Sequence, residues 1–473
     1  MSDARTAGPD AARARPESGS AATPPAGSPT PPFLWAATLL ALVGGFGLGG
    51  SLFLHQTAWR FPAAQAHGHL QLFGWAGLLV LGVGLHFLPR LRGTRLVAPE
   101  LARGVLALYA GGLVVRLVAQ PLAAFVPAVW PLLPLSGALE IGGAALAVGM
   151  LVATGRRGRP LRAATGLLPV LPYLVLAFTS LLVALALNLG GLVALGAPPG
   201  GAPWLPLVPA PWDPLLVHLG LMGFLVPISL AMSVRTFPLY LRVQVPNTAA
   251  LRATFVALGA GIALRLAALA GGPAAVDALG RVLEGAALLA AAWVIDVPLL
   301  RTRAAVLAAA EARAIQHRGA PRPLPPPSSD LRAADGLLRS AYGWLVVAAI
   351  LLVAGAWLGL AGAPAPPLDA ERHALGAGFI TLLIFGMGAR LLPGFLGREH
   401  LDHPRLVWAT FWLGNAAALL RVGPLLVPWL LALAGSAGAP PATALLALSG
   451  LLDMLAVACF GWNLWRTFHR IGR

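Results

Sequence analysis

Three histidines open similar apolar segments: His69 in "HLQLFGWAGLLVLGVGLHFLP", His218 in "HLGLMGFLVPISLAMSVRTFP" and His373 in "HALGAGFITLLIFGMGARLLP". Each segment reads His, four residues, Gly, an aromatic, ten residues, a base, two residues, Pro; the bases are His86, Arg235 and Arg390 and the prolines Pro89, Pro238 and Pro393. Imidazole is the commonest metal ligand and an axial ligand of haem iron. Three imidazoles at equivalent positions therefore predict ligation by at least two of them, against the plainer reading of interfacial histidines bonded to water. His67 stands two residues before His69, about 200° around a helix, and faces the same site only if the helix begins between them.

The pattern continues downstream. An arginine follows each histidine by 47, 47 and 48 residues: Arg116, Arg265 and Arg421. An acid follows in the next apolar run: Glu140, Glu284 and Asp453. Ionisable side chains among apolar runs are paired or functional. Two chemistries fit these marks: ion pairs that tie neighbouring helices, or arginines facing the propionates of a cofactor as bidentate carboxylate partners.

The elements that must position these groups are membrane helices. The chain of 473 residues is 58% hydrophobic and 11% charged, with a mean hydropathy of +0.78. Apolar runs of about 20 residues suffice to cross a bilayer as helices. Twelve are predicted, near 33–54, 67–89, 104–123, 132–153, 167–190, 215–234, 253–271, 278–300, 341–362, 373–393, 406–422 and 443–465. The net charge of +16 comes entirely from arginine on the basic side. Those arginines cluster after even-numbered helices, as at Arg90, Arg92 and Arg95 or Arg156, Arg157 and Arg159. That alternation reads as positive-inside topology with both termini cytoplasmic in a bacterial-type inner membrane, and not as nucleic-acid binding. A single cysteine, Cys459, excludes an internal disulfide.

The fold class is an all-α polytopic membrane protein whose twelve helices form three pseudo-repeats of a four-helix unit. The units are 33–162, 163–300 and 341–473, with a disordered tail at 1–32 and a basic, proline-rich linker at 301–340 containing "PRPLPPPSSD". With this topology the histidines, arginines and acids all fall in the outer half of the membrane. His86 is 17 residues past His69, roughly 25 Å at helical rise, so it belongs with Arg235 and Arg390 at the cytoplasmic boundary.

Histidines at the outer heads of helices 2, 6 and 10 of twelve resemble the catalytic subunit of haem–copper oxidases and nitric-oxide reductases. A His-x-His followed by Phe-Gly (His67, His69, Phe73, Gly74) and a late "HAL…G" helix ending in arginine (His373, Ala374, Leu375, Gly378, Arg390) are similar to the NnrS family of membrane proteins. That resemblance implies a haem- and copper-containing inner-membrane protein of nitric-oxide metabolism or stress. It departs from the NnrS pattern at Leu70 and Gln71, where an acid is replaced. It departs from the oxidases in the absence of histidine from helix 7, in Met222 one turn after His218, and in a single histidine in helix 10.

The expectation is thus a haem held between His69 and His373, with His218, alone or joined by His67, at a distal or copper-binding position. Arg116 and Arg421 would meet propionates, and Arg265, Glu140, Glu284 and Asp453 would be structural charges. Its partners would be the lipid bilayer, a redox partner and a gas such as nitric oxide. The competing readings are a cofactor-free multi-pass transporter using the outer histidines as a proton relay, and a structural membrane partner that kept the scaffold without its metals.

Overall fold

The computed structural model describes residues 29–54, 59–159, 167–197, 204–297, 329–395, 398, 401–436 and 442–469. These contain twelve helices long and apolar enough to cross a membrane: α1 Thr30–Ser51, α2 Arg60–Leu91, α3 Leu101–Ala123, α4 Pro127–Arg157, α5 Leu168–Leu195, α6 Trp212–Tyr240, α7 Thr248–Leu269, α8 Ala274–Ile295, α9 Leu331–Leu360, α10 Leu368–Phe395, α11 Pro404–Leu433 and α12 Thr443–His469. No strand occurs among the described residues. The protein is a multi-pass, all-helical membrane protein. Backbone groups in hydrocarbon find partners only within a helix or a closed barrel, and these sequences take the helical solution.

Helices α2, α6 and α10 are the inner ones. Of their central residues 72%, 72% and 78% are buried, against 17% for α11. Around them the remaining helices pack as neighbours: α3 along α4, α7 along α8 and α11 along α12, with α4 meeting α5, α8 meeting α9 and α12 closing onto α1.

Each inner helix carries a stretch of π-helix that starts one residue after its histidine: 70–77 after His69, 219–225 after His218 and 374–381 after His373. The three stretches pack against one another. A π turn shifts the register of every following side chain, and such turns occur frequently at functional sites. Pro89, Pro238 and Pro393 each fall two residues before the end of their helix. A proline removes an intrahelical donor, which costs least where the helix is about to stop.

Two helix boundaries change the reading of the marks. α2, α6 and α10 begin at Arg60, Trp212 and Leu368, so the histidines lie one to three turns inside their helices and not at the heads. α11 runs on to Leu433, past the expected end at 422, which places Arg421 well within the helix. The linker expected at 301–340 falls outside the described residues up to 328, and its remainder belongs to α9. The first 28 residues of the expected tail also lie outside.

Candidate functional site

A cavity of about 610 Å³ opens between α1, α2, α6, α10, α11 and α12. Its walls are largely apolar, with Phe46, Phe53, Leu72, Trp75, Leu221 and Ile380 among them. Six charged side chains line it: Arg60, Asp213, Asp369, Arg372, Arg421 and Asp453. Two imidazoles line it, His67 from α2 and His373 from α10. The glycines beside them, Gly68 and Gly376, also line it, and a Cβ built on either would meet no atom within 4 Å. The volume is that of a cofactor-sized site, about 300–1,000 Å³.

Both imidazoles are held in the same way. His67 Nδ1 lies 2.7 Å from Gly45 O in α1, and His373 Nδ1 lies 2.7 Å from Asp369 O one turn before it. A carbonyl oxygen only accepts, so each Nδ1 carries the proton and each Nε2 keeps its lone pair. No described residue bonds to either Nε2. Gly49 makes the position of His67 available: a Cβ there would stand 2.4 Å from His67 Cε1.

His69 has a different neighbour. Its Nε2 lies 2.5 Å from Glu140 Oε2 in α4, both groups buried at 3% and 0% exposure. Gly112 on α3 provides the room, since a Cβ there would come within 2.7 Å of Glu140 Cγ. His218 repeats the arrangement: its Nε2 is 2.9 Å from Glu284 Oε1 in α8, near but not aligned as a hydrogen bond. Gly261 on α7 holds the equivalent place, with its Cβ position 2.8 Å from Glu284 Cγ. Neither His69 nor His218 lines the cavity.

The three arginines divide. Arg265 reaches Glu284 Oε2 at 3.4 Å and Asp277 Oδ1 at 2.8 Å, an ion pair between α7 and α8. Arg116 does not meet Glu140. Its Nε donates to Gln120 Oε1 at 2.6 Å and its Nη1 to Asn188 Oδ1 at 3.2 Å. Gln120 donates to Pro206 O and to Gln65, which pairs with the backbone of Val208. That network pins the segment before α6; Gln65 reaches the cavity wall, whereas Arg116, Gln120 and Asn188 do not line it. Arg421 does line the cavity, 3.5 Å from Asp369 Oδ2 and 4.9 Å over the Phe53 ring, and its buried Nε has no hydrogen bond. Asp453 also faces the cavity with a buried Oδ1 that has no partner.

The structure therefore brings together His67, His373, Arg421 and Asp453. It sets apart His69, His218, Arg116, Arg265, Glu140 and Glu284. His373, expected to pair with His69, shares the cavity with His67 instead, because α2 is continuous through both histidines and the two face different neighbours. Arg116, expected beside a propionate, is spent on Gln120 and Asn188. Gln65, Gln120, Asn188, Gly49, Gly112 and Gly261 were not singled out from the sequence. A signal exists for two of these: Gly112 and Gly261 each stand four residues before an arginine, Arg116 and Arg265. The bases closing the cassettes also separate. His86 packs on Phe395 at 4.4 Å, Arg390 pairs with Asp335, and Arg235 makes no ion pair with any described residue.

The donor set fits a haem and does not fit copper. For haem there are two imidazoles with protonated Nδ1 and open Nε2, an apolar wall, and Arg421 with an unbonded Nε. For copper, His218 and His67 would have to converge, yet His218 faces Glu284 and does not line the cavity that His67 lines. Among the described residues no group of three or more His, Cys, Asp or Glu is arranged to hold a metal ion.

No protein family and no curated protein matches this sequence. The fold is similar to a chain of a haem–copper terminal oxidase dimer determined by cryo-electron microscopy, with a TM-score of 0.68 and 11% identity. The match covers 94% of this chain and 84% of that one. At that identity the likeness shows a haem–copper-oxidase-like fold.

Proposed function

We propose that this membrane protein carries a low-spin haem in the cavity, with His67 and His373 as axial ligands, and serves one-electron transfer. The observation that carries the reading is the matched pair of imidazoles in one cavity. Each has its Nδ1–H spent on a backbone carbonyl, which orients the ring and raises the basicity of Nε2. A haem there would be held by His67 and His373 and would supply one-electron redox chemistry. The chain's own residues bind, orient and bury it. Arg421 and Arg372 stand where charged carboxylates are welcome, and Phe46, Phe53 and Trp75 exclude water.

The oxidase-like fold supports this reading, and so does the spacing of the three π-helical stretches behind the three histidines. The same stretches, with the Gly112–Glu140 and Gly261–Glu284 contacts, support descent from three copies of a four-helix unit. The short NnrS-like motifs supply nitric-oxide metabolism as the setting and a bacterial inner membrane as the location, and the arginine alternation supports cytoplasmic termini.

The test is a reduced-minus-oxidised spectrum with a pyridine haemochrome assay on protein purified from haem-replete cells. His67→Ala, His373→Ala and His69→Ala variants are measured beside it. A haem band lost in the first two and kept in His69→Ala is expected. A band lost in His69→Ala but kept in His67→Ala would restore the His69–His373 pair. A colourless, folded protein would sink the haem and favour a carrier whose buried His–carboxylate pairs handle protons.

A further inference from the structure

A second cavity, of about 550 Å³, lies toward the other end of α2, α6 and α10, between these helices, α4 and α5. Its wall is apolar, with Val83 and Phe87 on α2, Leu151 on α4, Phe178 on α5, Met232 on α6 and Met387 on α10. Val152 on α4 and Val175 on α5 also line it and are 46% and 58% exposed, so it opens sideways between these helices toward the surrounding lipid. Gly84 keeps it wide: a Cβ there would meet only Leu151, at 3.7 Å or beyond.

Among the described residues, the charged ones lining this cavity are three arginines, Arg92, Arg156 and Arg235. Arg92 is partly occupied, donating to Gly155 O at 2.9 and 3.2 Å. Arg156 is exposed. Arg235 makes no hydrogen bond or ion pair with any described residue, and its Nε is buried. Arg390, at the same place in the third cassette, has Asp335 as its partner. A guanidinium left unpaired in a membrane protein is costly, and its planar fork matches a phosphate.

We infer that this cleft seats an anionic phospholipid, its phosphate on Arg235 with Arg92 and Arg156 beside it and an acyl chain along the apolar wall. The sideways opening admits a bilayer lipid, and the arginine cluster without an acid selects a negative headgroup. A zwitterionic phospholipid would bring its own cation beside the three arginines. A free phosphate would leave the apolar volume unfilled. The inference does not rest on the haem, since none of these three arginines lines the first cavity.

The test is carried out on the full chain in mild detergent. Bound lipid is quantified by mass spectrometry, and thermal stability is followed with added phosphatidylglycerol, phosphatidylcholine, inorganic phosphate or oleate. Wild-type protein is expected to retain phosphatidylglycerol and to be stabilised by it alone. Arg235→Gln is expected to retain about tenfold less, as the loss of one charge-assisted contact predicts. Arg103→Gln, at an exposed site on α3 outside the cleft, is expected to behave as wild type. Gly84→Leu, which fills the cleft and leaves all three arginines, is expected to match Arg235→Gln and carries the test should that variant not fold. Equal retention by wild type and both cleft variants would overturn the inference. So would equal stabilisation by phosphatidylcholine, which would mean nonspecific lipid, or by phosphate or oleate, which would mean a site for a free anion or fatty acid.

Discussion

His67 and His69, two residues apart on one unbroken helix, serve opposite neighbours: His67 Nδ1 donates to Gly45 O in α1 at 2.7 Å, and His69 Nε2 lies 2.5 Å from Glu140 Oε2 in α4. The first faces the cavity and the second is sealed in the bundle. Alanine at the two positions should therefore produce different losses. His67→Ala should abolish the haem spectrum with little change in folding. His69→Ala should keep the spectrum but leave Glu140 buried without its partner, lowering stability by about 1–3 kcal/mol. Absorbance and denaturant unfolding in detergent measure the two effects on the same samples.

In the proposed site the open Nε2 of His373 and that of His67 would both hold the haem iron. Carbon monoxide added to the reduced wild-type protein should leave its spectrum unchanged. His373→Gly with imidazole added should restore the wild-type band, and the same variant without imidazole should shift on addition of carbon monoxide. A carbon monoxide shift in the wild type would show that one axial position is free.

Gly49 tests how tightly His67 is placed. A methyl at this position would fall 2.4 Å from Cε1 and 2.6 Å from Nδ1 of the ring, closer than non-bonded atoms tolerate. Gly49→Ala should turn or displace the imidazole and disturb its bond to Gly45 O. The expected readout is a moved Soret band and a weakened haem content, with the helical circular dichroism signal intact. An unchanged spectrum would show that the ring moves freely and that its bond to Gly45 is unimportant.

Gly112 and Gly142 make a matched pair for the bundle. A Cβ on Gly112 would stand 2.7 Å from both Glu140 Cγ and Ser136 O, whereas one on Gly142 would meet nothing within 4 Å. Gly112→Ala should push α3 from α4 and cost about 1–3 kcal/mol, the range for overpacking. Gly142→Ala should be neutral or slightly stabilising, since alanine favours the helix. Thermal melts of the two variants decide this.

Arg421 faces the cavity with an unbonded Nε and a 3.5 Å approach to Asp369. Arg421→Gln should lose haem to apomyoglobin about tenfold faster, the consequence of removing one charge-assisted contact. Arg116→Gln, in the network of Gln120 and Asn188, should leave the loss rate unchanged and reduce thermal stability instead. Equal rates for the two variants would place the propionates elsewhere.

Much of this molecule can be read from its residues in order. Hydropathy marks all twelve helices, and the cassette around His69, His218 and His373 marks the three inner ones. Arg421 and His373, two of the residues singled out by type and spacing, line one cavity. The choice between His67 and His69 was not legible, nor was the fate of Arg116. Spacing alone puts Arg116, Arg265 and Arg421 on equal terms. Gln120 and Asn188 occupy the first, Asp277 and Glu284 the second, and only the third opens on a cavity.

The sequence by itself determined that this chain folds as membrane helices, because a backbone in hydrocarbon must satisfy its own donors and acceptors and these apolar runs are long enough to do so. It also determined which helices bear imidazoles. Tertiary structure alone decided what each imidazole faces. Residues two apart point about 200° from one another on a helix, so the rotation of α2 about its axis chooses between His67 and His69. That rotation is set by close packing on both sides. Gly49 of α1 admits the His67 ring, while Gly112 of α3 lets Glu140 reach His69.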